Sequence, residues 1–383
     1  MLLIKNAHIK TMAGVELANG CILAGDDGKI AQIAEVITAE GAHVIDAGGR
    51  LVTPGCVEAH CHIGLGNAAV RWEGSDFNES TDPVTPHLRA IDSIYPQDER
   101  LHDGLTGGVT TVCTGPGSAN VVCGTFAAIK LSGKRVDDMI VKHPVAMKCA
   151  LGENPKSIYG QKGKCPKTRM GSAALLRELL FRAKDYCDQI DAGNAPKFDM
   201  KLHAMLPVMR GEIPLKCHAH RADDILTSIR IAREFGVKLT LDHCTDGAEI
   251  ADILAEEGYP AIVGPALTAK NKPELKAKSF ATPGILYRAG MKICITTDAS
   301  VTAIECLPLC AGLAASKGLP MEEAWKAITI NPAEIMNIHD RVGSLEVGKD
   351  ADIVIWNADP LTAIGGSAYI TIINGEIVYE EKA

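Results

Sequence analysis

The chain has 383 residues, 46% hydrophobic and 22% charged, with a formal net charge of -8. That length suits one large α/β domain with something smaller beside it, and the acidic balance, without a dense Lys/Arg run, excludes a nucleic-acid-binding surface. No apolar run approaches the roughly 20 residues that cross a bilayer, and thirteen scattered cysteines without a C-x-x-C fit reduced, buried thiols in the cytoplasm rather than a disulfide framework.

The first residues, MLLIKNAHIK, mix polar with apolar positions and lack the cationic start and apolar block of a signal peptide. Residues 1–54 read as short strands between Gly/Asp turns, with Asp26-Asp27-Gly28 as a hairpin signal. The stretch 51–64, LVTPGCVEAHCHIG, reads as a turn, a buried strand and two histidines one residue apart. Residues two apart in a strand share a face, so His60 and His62 project together and Cys61 turns away into packing. Two imidazoles on one face suit a metal ion such as zinc. Taken alone, the pair more often fills an ordinary surface or hydrogen-bonded role.

Beyond it, apolar strands alternate with helices. Strands are predicted at 56–62, 108–114, near 121–126, 145–151, 215–218, 238–242, 261–263 and 292–297. Helical spacing runs through 172–190 and 223–235. Asp246 with Glu249 forms a capping box before a helix that Gly258 ends, and Asn331-Pro332 with Glu334 starts another. Repeated strand–helix units over this length suit a (β/α)₈ barrel, typically about 250 residues. A doubly wound open sheet is the alternative, weakened by the lack of a G-x-G-x-x-G after the first strand. Residues 152–169, rich in Gly, Pro and Lys, predict a solvated loop over the barrel mouth, and Gly115 to Asn120 a backbone lining for it. The C-terminal strands, 350–356 and 368–380, turn at Asn374-Gly375 as a type I′ hairpin. Two β-rich ends predict one small β domain from 1–54 plus 345–383, with the barrel at 55–344.

In a barrel, chemistry sits where strands end. Here those ends carry His60 and His62, Lys148 with Glu153 just beyond, His218 and His220, Asp242 and His243, and Asp298. So many imidazoles and carboxylates on one face point to a metal site. Neutral imidazoles and carboxylates bind zinc, and a bound divalent ion lowers the pKa of a water to about 7. Asp298 is placed to take the proton of the attacking water and pass it to a leaving amine.

These residues and their surroundings resemble the amidohydrolase superfamily over nearly the whole chain. The segment D-A-G-G-R-L-V-T-P-G before H-x-H, the strand G-V-T-T-V at 108–112, and the run N-P-A-E-I-M-N-I-H-D-R-V-G-S-L-E-V-G-K-D-A-D-I-V-I-W at 331–356 are similar to the family's. Imidazolonepropionase-like and prolidase-like metal-dependent hydrolases resemble it most. The resemblance implies a distorted (β/α)₈ TIM barrel with a small β-sandwich domain formed by both chain ends, and one or two divalent ions per subunit, zinc first among them. It implies His60, His62, His218 and Asp298 as metal ligands, and His243 as a second-metal ligand or a catalytic group holding the substrate carbonyl. A bridging ligand is expected from Lys148, carboxylated, or from Glu153. Glu153 is preferred here because a strand-end position faces the mouth. His220 would face substrate or support the ligands from behind. By their chemistry Arg221, Lys156 and Arg169 are able to receive a substrate carboxylate, while each taken singly fits an ordinary surface charge better.

The implied activity is hydrolysis of a C–N bond in an amide or cyclic amide, with Asp298 as proton shuttle. A heterocycle deaminase is the alternative. It is weakened because Ala219-His220-Arg221 follows His218 where such enzymes carry a glutamate. A non-catalytic structural homologue is a third reading. The expected partner is a small-molecule substrate, with no nucleic acid and no membrane. Association of identical copies is compatible with a barrel of this kind.

Overall fold

The computed structural model describes residues 1–68 and 70–382. Buried runs rich in Val, Ile, Cys and Thr form the central sheet: β6 (Cys56–Cys61), β7 (Val109–Thr114), β8 (Val122–Lys130), β9 (Ile140–Ala150, fully buried from Val145), β10 (Leu215–Ala219), β11 (Leu239–His243), β12 (Ala261–Val263) and β13 (Ile293–Ile295). They are preceded by β1 (Leu2–Lys10), β2 (Glu16–Ala24), β3 (Ile30–Ala34), β4 (His43–Asp46) and β5 (Leu51–Pro54). They are followed by β14 (Ile353–Trp356), β15 (Ala368–Ile373) and β16 (Glu376–Glu380).

Strands β6 to β13 lie in sequence order in one sheet, an α/β arrangement that curls into a nearly closed barrel. All eight strands fall where the sequence places them. One runs the other way: β8 pairs antiparallel with both β7 and β9. The connections on either side of β8 are short, and a parallel crossover needs a dozen or more residues. The seam between β6 and β13 is held by a side chain rather than a ladder. Glu58 Oε1 accepts from the His60 amide at 2.9 Å, and Oε2 accepts from the Thr297 amide at 2.8 Å and its hydroxyl at 2.6 Å. Thr296 Oγ1 also donates to the His60 carbonyl at 2.8 Å. The barrel's β6 end and the loop carrying Asp298 are thereby fixed together.

The helix Ala222–Phe235 packs its apolar face on β10 and β11, and the helix Arg169–Asp191 buries its own against that helix and its helical neighbours, as their spacing predicts. Three local expectations fail. Residues 152–169 are a loop only over 162–168: Gly152 turns the chain at φ +92° and a helix, Glu153–Gln161, begins at once. Its Pro155 sits in the first turn, where a missing N–H costs nothing. Asp246 caps no helix of its own, because its carboxylate accepts from the Ala222 amide; 245–250 is a 3₁₀ turn and the helix starts at Ala251. Gly258 does end it, in the left-handed region. Asn331 likewise donates to the Ile293 carbonyl, and helix Ile330–Ile335 begins before Pro332.

Strands from both chain ends share a second eight-stranded sheet, ordered β16-β15-β14-β5-β1-β2-β3 with β4 beside β1. The two ends meet where β14 pairs antiparallel with β5. Both hairpins form as expected, with Gly28 at φ 75°, Asn374 at 51° and Gly375 at 76°. All thirteen cysteines are free thiols, and only Cys165 is exposed. Among the described residues no helix is long and apolar enough to cross a membrane.

Candidate metal centre

The H-x-H at the end of β6 does what its period dictates. Both Nε2 atoms face one carboxylate oxygen, Asp298 Oδ1, at 3.5 Å from His60 and 3.3 Å from His62. Each ring is oriented from behind. His60 Nδ1 donates to Asp242 Oδ2 at 2.9 Å, and His62 Nδ1 donates to the Gly115 carbonyl at 2.7 Å. With the proton on Nδ1, each Nε2 presents a lone pair. A lone pair facing a carboxylate oxygen is unfavourable unless a cation lies between them. Asp298 Oδ1 is buried without a hydrogen-bond partner, as that arrangement requires.

His243, at the end of β11, follows the same logic. Its Nδ1 donates to the Gly264 carbonyl at 2.8 Å, and its buried Nε2 has no partner. The ring stands 5.0 Å from that of His60 and 4.5 Å from that of His218, centroid to centroid. His218 therefore falls in a second group, with His220 and His243, while His60, His243 and Asp298 form the first. His220 is buried, and its Nδ1 lies 2.7 Å from the Thr245 hydroxyl. His243 and Asp298 adopt left-handed backbone, at φ 73° and 50°. Such angles cost non-glycine residues about 1–2 kcal/mol and cluster at functional sites.

The electrostatics favour neutral imidazoles. Burial, then the Lys148 ammonium, holds His60 well below its ordinary range. Burial, then His220, does the same to His218. Burial and neighbouring histidines bring His220 and His243 down to about 3. Burial alone would raise Asp298, but the surrounding His62, His243 and His60 hold it far below the usual carboxylate range. Neutral imidazoles beside ionised carboxylates are the donor set a divalent cation needs.

The bridging candidates separate. Lys148 is fully buried inside the barrel, with Nζ 3.3 Å from His60 Nε2 and 3.4 Å from Asp242 Oδ2. Glu153 begins a helix, and its backbone N–H rather than its carboxylate reaches the site, donating to Glu274 Oε2 at 3.2 Å. The preference for Glu153 fails on geometry, because the chain turns at Gly152 before it. Arg221 is exposed and chelates Asp223 through two bonds of 3.0 and 2.9 Å; Arg169 binds Asp224 at 3.0 Å. Both arginines, with Lys156 and Glu274, line a cleft of roughly 570 Å³ beside the histidines. Neither arginine reaches the histidine cluster. Ser118 accepts from Asn154 in the mouth, and Gly115 supplies the carbonyl already noted.

Two acids escape the sequence reading. Asp242 is visible at a strand end but has no role there; here it orients His60 and is flanked by buried Lys148 and Lys216, each 3.4 Å away. Glu274 comes from the loop after β12. Its carboxylate is buried, 3.7 Å from His218 Nε2 and 3.8 Å from His220 Nε2.

Comparison with known proteins decides the family. An amidohydrolase from Thermotoga maritima MSB8, known from its crystal structure, is 39% identical with all of both chains covered and a TM-score of 0.95. The chain belongs to the amidohydrolase superfamily. The model of the Amidohydrolase family matches residues 209–378. An imidazolonepropionase from Rhizobium rhizogenes is 25% identical over 92% of this chain and 91% of its own. Amidohydrolase tasK from Hapsidospora irregularis is 28% identical over 89% of this chain, which spans only 38% of that longer protein. This amidohydrolase is thus an imidazolonepropionase-like hydrolase of a metal-dependent superfamily, carrying His and Asp groups able to hold a metal.

Proposed function

We propose that this amidohydrolase hydrolyses a C–N bond of an amide or cyclic amide with a divalent ion held by His60, His62 and Asp298. The observation that carries the reading is the pair of outward lone pairs, His60 Nε2 and His62 Nε2, converging on an unpartnered carboxylate oxygen. Zinc suits this donor set and would supply a water acidified to about neutral pH.

The chain's own residues do the rest. Asp242 and the Gly115 carbonyl hold the two imidazoles in the liganding tautomer. Asp298, ionised, accepts the proton as water attacks the carbonyl carbon and returns it to the departing nitrogen. Lys148, once carboxylated, would join the residues that hold the metal, a reading supported by its place between His60 and Asp242. His243 is better suited to metal than to the substrate carbonyl, since its free nitrogen is a lone pair and cannot donate. Residues 1–54 with 345–383 are assigned to one small β-sandwich domain, supported by apolar clusters on the shared sheet.

Chelator-stripped protein should lose hydrolysis of a panel of amides and cyclic amides and regain it on adding Zn²⁺. Turnover unaffected by stripping would overturn the reading. Ammonia release from purine or pyrimidine analogues without amide cleavage would replace it with the deaminase.

A further inference from the structure

We infer that the substrate of this amidohydrolase carries an anionic group, a carboxylate or a phosphate, received by Lys156 and Lys167 in the cleft beside the histidine cluster. The substrate's fate follows from the C–N hydrolysis already proposed, on which this reading of the cleft rests.

The cleft departs in charge from the rest of the chain. Net charge is -8, yet four cationic side chains, Lys156, Lys167, Arg169 and Arg221, line this one hollow. Its volume of roughly 570 Å³ lies within the range that holds a small organic molecule. At its inner end stands buried Glu274, 3.7 Å from His218 Nε2 and 3.8 Å from His220 Nε2. A molecule that reaches the histidines by this route has its far end among the cations.

The four cations are not equivalent. Arg221 is closed on Asp223 and Arg169 on Asp224, so both charges are already answered. Lys156 is half-buried, and neither it nor Lys167 has an ion pair or a side-chain hydrogen bond among the described residues. Glu153, one turn before Lys156 on the same helix, is not paired with it either. An ammonium partly withdrawn from water without an anion beside it is disfavoured. A substrate anion supplies the missing charge.

Local sequence brings the two ammonium groups to one wall. Glu153, Lys156, Ser157 and Gly160 recur at helical spacing, so one face of helix Glu153–Gln161 lines the cleft. Gly160 has no side chain, and the Lys167 stem lies against it, with Cγ 3.4 Å from where a Cβ would stand. Lys167 therefore meets the helix one turn beyond Lys156. Two unpaired ammonium groups, each with three donors, suit the oxygens of a carboxylate or a phosphate.

The ω-amido acids from succinamate to suberamate, their ω-phosphonate counterparts and the neutral diamides of equal length form the probe series. Affinity for the full-length, Zn²⁺-loaded protein is read by calorimetry, and turnover by ammonia release. Acids or phosphonates are expected to bind at least about tenfold tighter than the matching diamide. Lys156→Met and Lys167→Met should each cut that preference by roughly tenfold, the worth of a hydrogen bond to a charged group. In turnover the loss should appear in KM rather than kcat. Lys156→Arg, which keeps the charge, should retain most of the preference, and Lys164→Met, on the same loop as Lys167 but outside the cleft, should leave it unchanged. Melting temperatures check that each variant folds. Equal affinity for acids and diamides, or no measurable binding of any acid, would overturn the inference; diamide hydrolysis in that case would leave the C–N reading intact. A preference untouched by both lysine variants, or lost equally in Lys164→Met, would also overturn it. A preference carried by Lys156 and Lys167 without turnover would uphold the anion site and count against the hydrolase reading. Whichever of carboxylate and phosphonate binds tighter identifies the anion.

Discussion

Asp242, a carboxylate that no water reaches, decides which way His60 faces. Burial would raise it, but the ammonium of Lys216, then His60 and Lys148, hold it well below the usual range, so it stays an acceptor. Asp242→Asn should weaken Zn²⁺ binding by roughly 10–100-fold, measured by competition with a chromophoric chelator. Unchanged affinity would show that His60 needs no orienting partner. At this scale the sequence is informative where spacing is local. His60 and His62 are legible because the strand period is two. Glu58 was equally findable, two residues before His60 on the same face of an apolar strand. Glu274 was not: K-N-K-P-E-L-K-A-K reads as a solvated lysine-rich loop, and only the tertiary fold buries its acid.

At the scale of elements, strand identity survives translation from sequence and strand direction does not. Apolar runs mark all eight barrel strands, but the reversal of β8 depends on connection length, which the sequence shows only once both strand ends are known. The caps at Asp246 and Asn331 fail for a related reason: each side chain serves a distant backbone group that no local pattern reveals. Gly108, just before β7, shows how tightly an element junction is fitted. It sits at φ +69°, and a Cβ there would meet the Trp356 ring at 2.3 Å. Gly108→Ala should destabilise the protein by about 1–3 kcal/mol, read from denaturant unfolding. A loss under a few tenths of a kcal/mol would mean that the β14 tryptophan moves aside freely.

At the scale of the molecule, the two sheets are joined by charge as well as by apolar packing. Lys130 of β8 reaches across to Asp352 and to Asp350, the latter at 3.1 Å, and Asp350 also receives Lys29 at 2.6 Å and Arg341 at 2.7 Å. Burial would raise Asp350, but Lys130, Lys29 and Arg341 bring it down to about 2. A carboxyl depressed in the folded state stabilises above its unfolded value, about 3.9. That contribution is lost as pH falls from about 4 towards 2. Wild type should melt above Asp350→Asn at pH 7, and the gap should narrow as pH approaches 2. A gap independent of pH would remove Asp350 from the junction's acid response. That the chain ends form one sheet was legible from their shared β-rich composition; the ion cluster joining it to the barrel was not, because its members are far apart in sequence, Lys29 and Asp350 by 321 residues.

In the proposed reaction Asp298 is the group that moves the proton. Asn is nearly isosteric and tolerates the left-handed backbone at that position. Turnover of Asp298→Asn on a hydrolysed amide, measured at saturating Zn²⁺ beside its melting temperature, is the most direct measurement. The prediction is an unchanged melting temperature with turnover lower by at least about 10²-fold. Hydrolysis at the wild-type rate would contradict it.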